Sequence, residues 1–201
     1  MSRRVLLFLS IFGLLTSTLE ANEYKSPLGF VGDVPSGWEV FTSKFRETPA
    51  LFNEIFSGLQ KRDPHTAEAL RDRVMSGRQD VIFRIERADV AFRDNINILS
   101  GPGRLPATDA EAHTVCKALK ESLGSSEAQA TLKACEARTV GSNFTLFLEQ
   151  EGTIPGTTVL QYQVLCPPRA ILGVTATIKA ESLLQARKDL DQFIASIRCN
   201  L

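Results

Sequence analysis

Between residues 143 and 179 the chain alternates large apolar residues with polar or small ones at a period of two, and beyond residue 181 the period becomes that of a helix. No other feature limits the fold as much. Phe144, Leu146 and Leu148 alternate with Thr145, Phe147 and Glu149, and Leu160, Tyr162 and Val164 alternate with Gln161 and Gln163. That is the pattern of strands with one buried face apiece. Gly152-Thr-Ile-Pro-Gly156 joins the runs 143–150 and 158–166 as a hairpin with a long loop, and Cys166-Pro-Pro-Arg169 turns the chain into a third run, 170–179. Leu183, Ala186, Leu190, Phe193, Ile194 and Ile197 then recur at helical spacing over residues 181–198. Strand, strand, strand, helix reads as an antiparallel meander with a helix laid across it.

Further strands are expected over 38–42, 80–86 and 90–99, where β-branched and aromatic residues gather. The sum is an α+β fold with an antiparallel sheet of about six strands flanked by helices. Thr48-Pro49 opens a helix over 50–60 with Leu51, Phe52, Ile55, Phe56 and Leu59 along one face, and Asp63-Pro64 opens another that ends at Gly77. A third runs from Thr108, which can cap while Glu111 reaches back, to Leu123. Residues 131–140 fit either strand or helix. The longest loop candidate is 100–107, and neither linkers nor repeats divide the chain, so residues 22–201 read as one domain.

At the N-terminus, Arg3 and Arg4 precede the apolar run 5–15, which gives way to Thr16, Ser17 and Thr18. This is the layout of a signal peptide over 1–21, cleaved between Ala21 and Asn22. A membrane-spanning helix needs roughly 20 apolar residues, so no stable insertion is expected once the segment is removed. Cleavage leaves 21 basic against 22 acidic side chains. A balance so near zero gives no electrostatic reason to bind nucleic acid or anionic lipid.

Cys116, Cys135, Cys166 and Cys199 are an even set in an exported chain, which favours disulfides. Buried free thiols and a zinc site are the alternatives, although no C-x-x-C occurs. Element lengths pair Cys166 with Cys199. A ten-residue strand spans about 33 Å and an eighteen-residue helix about 27 Å, so the helix returns Cys199 to the level of the turn after Cys166. Cys116 and Cys135 flank a chain reversal near Ser125 and face each other if both arms are helical, with a weaker case if the arms differ in type.

Gly29-Phe-Val-Gly-Asp-Val-Pro-Ser-Gly-Trp38, together with the meander from Val140-Gly141 through the final helix, resembles the PsbP-like fold. That fold is shared by extrinsic photosystem proteins, a Ran-binding nuclear transport factor and bacterial envelope proteins of the DcrB type. The resemblance implies an α/β/α sandwich that acts by binding rather than catalysis. The chain departs from it by two Pro-started helices between Thr48 and Gly77 and by its four cysteines.

Motifs for chemistry are sparse. His65 and His113 read as solvated helix residues, and Ser100-Gly-Pro-Gly103 matches neither a nucleophile elbow nor a phosphate loop. The pairs Glu149/Glu151 and Asp189/Asp191 read as solvated faces, and Asn143-Phe-Thr145 as a chance glycosylation pattern. No catalytic, cofactor or metal residue is nominated. Two functions follow: an exported, periplasmic or secreted, non-catalytic module that binds a protein partner or small ligand; or a hydrolase built from carboxylates distant in sequence. The first predicts an exposed apolar patch or a groove beside the sheet, with Ile154 in the loop 152–157 one exposed contact.

Overall fold

The structure is a computed structural model and describes residues 22–85, 92–125, 131–166 and 170–199. The expected signal peptide, the start of the strand over 90–99, the far side of the reversal near Ser125 and the Pro-Pro-Arg turn lie outside the described residues. In chain order the elements are β1 (Asn22–Lys25), β2 (Phe30–Val34), β3 (Trp38–Val40), α1 (Thr42–Glu47), α2 (Pro49–Ile55), α3 (Ser57–Arg62), α4 (Pro64–Met75), β4 (Gln79–Arg84) and β5 (Asn95–Pro102). There follow α5 (Asp109–Ser125), β6 (Leu132–Val140), β7 (Asn143–Glu151), β8 (Thr157–Cys166), β9 (Ala170–Lys179), α6 (Leu183–Ser196) and β10 (Arg198–Cys199).

Seven strands form one antiparallel sheet in the order β3-β4-β5-β9-β8-β7-β6, and β1-β2-β10 form a small second sheet. The meander is β7, β8 and β9, and between β8 and β9 the apolar sets pair as the alternation requires. On β7 it is Phe147 that pairs with Tyr162 and faces the main core, while Phe144 is exposed. Leu146 and Leu148 pair with Gln163 and Gln161 on the other face, because α5 supplies a second apolar cover there. Residues 131–140 are the strand β6, and β5 runs on to Pro102, absorbing the start of the loop candidate. The final helix stops at Ser196 because Ile197 is extended, with φ −62° and ψ 125°, and the chain leaves as β10.

One face of the large sheet is covered by α6 and the small sheet. Ala186, Leu190, Phe193 and Ile194 of α6 are buried against Ile96, Leu160, Val174 and their neighbours, with Phe30 of β2 edge-on to Phe193. Each of the larger side chains contributes about 1.5–3 kcal/mol by leaving water, and Ala186 less. On the opposite face α5 covers Leu146 and Leu148 of β7, while α1–α4 cover Val81 and Phe83 of β4. Strands β4 and β7 are therefore buried on both faces rather than one, because helices lie on both sides.

The helix expected over 50–60 is two short ones, α2 and α3, broken at Phe56 and preceded by α1. Helices of six or seven residues are not stable alone. Here Phe41, Phe45, Phe52, Phe56 and Phe83 hold them, with ring centroids 4.5 to 6.0 Å apart. Gly141, in the two-residue turn between β6 and β7, has φ +62°, and a Cβ there would sit 2.8 Å from the Cβ and 2.9 Å from the Cα of Ala195 on α6. Only glycine allows both that conformation and that approach.

The N-terminal strand is tied to the large sheet through Asp80, whose carboxylate is fully buried on β4 and accepts from the Tyr24 hydroxyl at 2.8 Å and from the Ser26 hydroxyl. Burial pushes the Asp80 carboxyl above its usual range, outweighing the lowering by hydrogen bonds from Ser26, Tyr24 and Thr42. A carboxyl raised on folding contributes fully below its unfolded pKa, about 3.9, and that contribution is lost as pH rises through the folded value. The stability of Asp80→Asn relative to wild type should therefore increase as pH rises from 4 to 7.5, measured by urea unfolding. A pH-independent difference would contradict this assignment.

Candidate functional site

The groove begins as a consequence of register. One cross-strand row on the face opposite α6 reads Val81, Asn97, Thr175, Gln161, Leu148 across β4, β5, β9, β8 and β7. Its two apolar ends are buried under the two helical layers, and its three polar members are half-exposed between them. The next row, Gln79, Leu99, Gly173, Gln163, Leu146, again has buried ends, Gln79 and Leu146, and an open middle, in which Leu99 is 41% exposed. No atom lies within 4 Å of where a Cβ on Gly173 would stand. The strands β5, β9 and β8 thus form the open floor of a groove walled by α5 on one side and by α2 and α3 on the other.

A hollow of about 400 Å³ lies at each wall. The first is lined by Arg104, Leu105, Glu111, Val115 and Gln163, and the second by Phe56, Leu59, Arg62, Phe83 and Asn95. Both are of the size used for small molecules. The wall at α5 is set by its capping: Glu111 N–H donates to the Thr108 hydroxyl at 3.2 Å, and the Glu111 carboxylate accepts from Ala107 N–H at 2.8 Å. On the floor, Gln79 donates to Asn97 and Asn97 to Asn95, each at 2.9 Å, while Arg73 donates to Gln79 at 3.0 Å. Among the described residues the side-chain amides of Gln161 and Gln163 make no such bond. They present both donors and acceptors to the groove.

The side chains nominated or set aside from sequence are placed as follows. Cys116 and Cys135 are bonded with Cα atoms 5.6 Å apart, although one arm is the helix α5 and the other the strand β6, because α5 packs across that strand. Cys166 and Cys199 are bonded with Cα atoms 5.5 Å apart. His65 and His113 are exposed on separate helices, as read from sequence, and His113 shares a hollow with Cys116, three residues on. Among the described residues no cluster of His, Cys, Asp or Glu suits a metal ion. Asn143 uses its amide to cap α6, donating to the carbonyls of Ile194 at 2.8 Å and Ile197 at 3.1 Å.

The solvated reading of the carboxylate pairs is corrected by the packing of α6. Asp189 is buried and accepts from Trp38 Nε1 at 2.9 Å, Arg84 at 3.0 Å and Gln185 at 2.8 Å. Arg84 also reaches Asp94 at 3.4 Å, and Asp94 accepts from the Lys179 backbone N–H at 2.8 Å. Asp191 accepts from Tyr162 at 2.8 Å and Arg138 at 2.9 Å, and Glu149 pairs with Arg187. Burial pushes the Tyr162 phenol up, and its bond to Asp191 adds to that. These groups fasten α6 to β3 and β4 on one side of the sheet and to β6, β7 and β8 on the other; of the four paired acids Glu151 is the mainly solvated one. Ile154 is exposed as expected, 39% of its surface, and lines a separate hollow of about 200 Å³ with Phe92, Thr157 and Lys179.

No helix among the described residues is long and apolar enough to cross a membrane. No family model and no curated protein matches the chain. Similar solved structures include a protein of Bacteroides thetaiotaomicron VPI-5482, at 13% identity and TM-score 0.44, with 91% of this chain and 50% of that one aligned. The chain thus spans about half of that protein. LpqN of Mycobacterium tuberculosis, involved in cell envelope biogenesis, aligns at 15% identity and TM-score 0.45 over 61% of this chain and 72% of its own. Cyanobacterial PsbP of Synechocystis sp. PCC 6803 aligns at 13% identity and TM-score 0.51 over 92% of this chain and 95% of its own. Agreement along nearly the whole of both chains, with the antiparallel sheet and helices on both of its faces, shows that this protein has the PsbP-like fold.

Proposed function

We propose that the protein is an exported, non-catalytic binding module of the cell envelope or exterior. Its open sheet face takes a small neutral ligand rich in hydrogen-bonding groups. The observation that carries this reading is the half-exposed floor of Asn97, Thr175, Gln161 and Gln163 between two helical walls, with the two glutamine amides uncommitted. Neutral amides with apolar flanks suit an uncharged polar ligand, and the hollow beside Gln163 brings one carboxylate, Glu111, and no partner acid for hydrolysis. The two disulfides and the expected signal peptide over 1–21 support export.

The open space above Gly173 supplies the test. Gly173→Phe should fill the floor at little cost to thermal stability, and Gln163→Ala should remove one donor and one acceptor. Screening neutral oligosaccharides and other uncharged polar compounds by NMR should give ligands that shift the amides of Gln161, Gln163 and Thr175. Their affinity should fall about tenfold in Gln163→Ala and be lost in Gly173→Phe. Ligands that bind Gly173→Phe unchanged, or a screen with no shifts on this floor, would overturn the reading.

A further inference from the structure

The two disulfides differ in that one has a fully buried sulfur, Cys166, beside the partly buried Cys199, while the other has none. Cys166 is 0% exposed and belongs to the main core, and Cys199 is held beside it by the pairing of β10 with β2. Cys116 and Cys135 are both half-exposed and line a hollow of about 350 Å³ between α5 and β6. His113, Lys117, Lys120 and Lys133 line the same hollow, and no carboxylate does so among the described residues. Lys133 reaches the exposed Glu151 at 3.6 Å.

We propose that Cys116–Cys135 is a thiol-exchange site, opened in the native protein by an external dithiol while Cys166–Cys199 stays closed. A thiolate of the dithiol attacks one sulfur, forms a mixed disulfide and expels the other cysteine as a thiolate. The second thiolate of the dithiol then attacks its own partner's sulfur, closes the dithiol as a disulfide and expels the second cysteine. Two electrons pass to the protein, and the two cysteine thiolates take up the two protons that the dithiol lost. Negative charge is carried by the attacking and the departing sulfur alike, so nearby ammonium groups favour the approach and the cleavage together. At Cys166–Cys199 the Cys166 sulfur is closed to attack, and attack at the partly buried Cys199 would expel the Cys166 thiolate into the apolar core. Reduction here needs no ligand in the sheet groove, yet it releases the covalent tie between α5, one wall of that groove, and the sheet.

The test is reduction of the full chain by dithiothreitol without denaturant, with thiols trapped by N-ethylmaleimide and located by mass mapping. Cys116 and Cys135 should be labelled at least about tenfold faster than Cys166 and Cys199. In Lys117→Gln/Lys120→Gln, which leaves both disulfides in place, labelling should slow several-fold and lose part of its dependence on salt, because screening acts on the removed charges. Opening of Cys166–Cys199 first, opening of both only where the chain unfolds, or rates and salt dependence unaltered by the lysine changes would each overturn the proposal.

Discussion

Arg84→Ala is expected to lower stability by about 3–5 kcal/mol, the cost of removing one partner from a buried ion pair. The guanidinium lies between Asp94 and Asp189, with side chains only 10%, 4% and 9% exposed respectively. It also stacks on Trp38, 5.3 Å from the ring centroid. Deleting it leaves two nearly buried carboxylates without their cation. For a domain of this size the melting temperature should fall by roughly 6–20 °C. Trp38 is the single tryptophan, so its fluorescence reports both the unfolding and the local change. Arg84→Lys should recover only part of the loss, since an ammonium cannot span two carboxylates as a planar fork does. A loss below about 1 kcal/mol, the range of an exposed pair, would show that the triad is solvated.

Cys199→Ser is expected to cost about 3–4 kcal/mol, the chain-entropy value for a closed loop of this length. The bond spans 33 residues and joins the end of β8 to β10. Far-UV circular dichroism should change little, because β10 has only two residues. Thermal unfolding with and without the substitution measures the effect. An unchanged melting temperature would mean that the pairing of β10 with β2 holds the end of the chain by itself.

The parts of the fold readable from sequence are those whose cause is local. Alternation at a period of two exposes β7 to β9, and the stripe of α6 shows its buried side, because each follows from backbone geometry alone. The helix start at Asp63-Pro64 is likewise local: the Asp63 carboxylate accepts from Thr66 N–H at 3.0 Å. The small sheet was not legible. Residues 22–25 are polar and mostly exposed, and β10 finds its partner some 170 residues away. Asp189 looked solvated because its neighbours in sequence are charged, while the groups that bury it, Trp38 and Arg84, are 151 and 105 residues distant. The groove was half legible. Alternation marks Gln161 and Gln163 as polar-face residues, but the gap between the helical walls depends on sheet order, which no local pattern encodes.

That sheet order also dictates when the molecule can finish folding. Residues 22–125 contain three of the seven strands of the large sheet, and the inner edge of β5 has no partner until residues 170–179 exist. The small sheet waits longer still, for Arg198 and Cys199 to meet Val31 and Phe30. Pairings so distant along the chain incur their loop-closure entropy before any contact repays it, which makes closure slow and late. A ribosome releases the N-terminal half first, and that half holds the aromatic cluster of α1–α3 but neither the middle of the sheet nor the helix that covers it. A partly synthesised chain therefore stays open until β10 reaches β2.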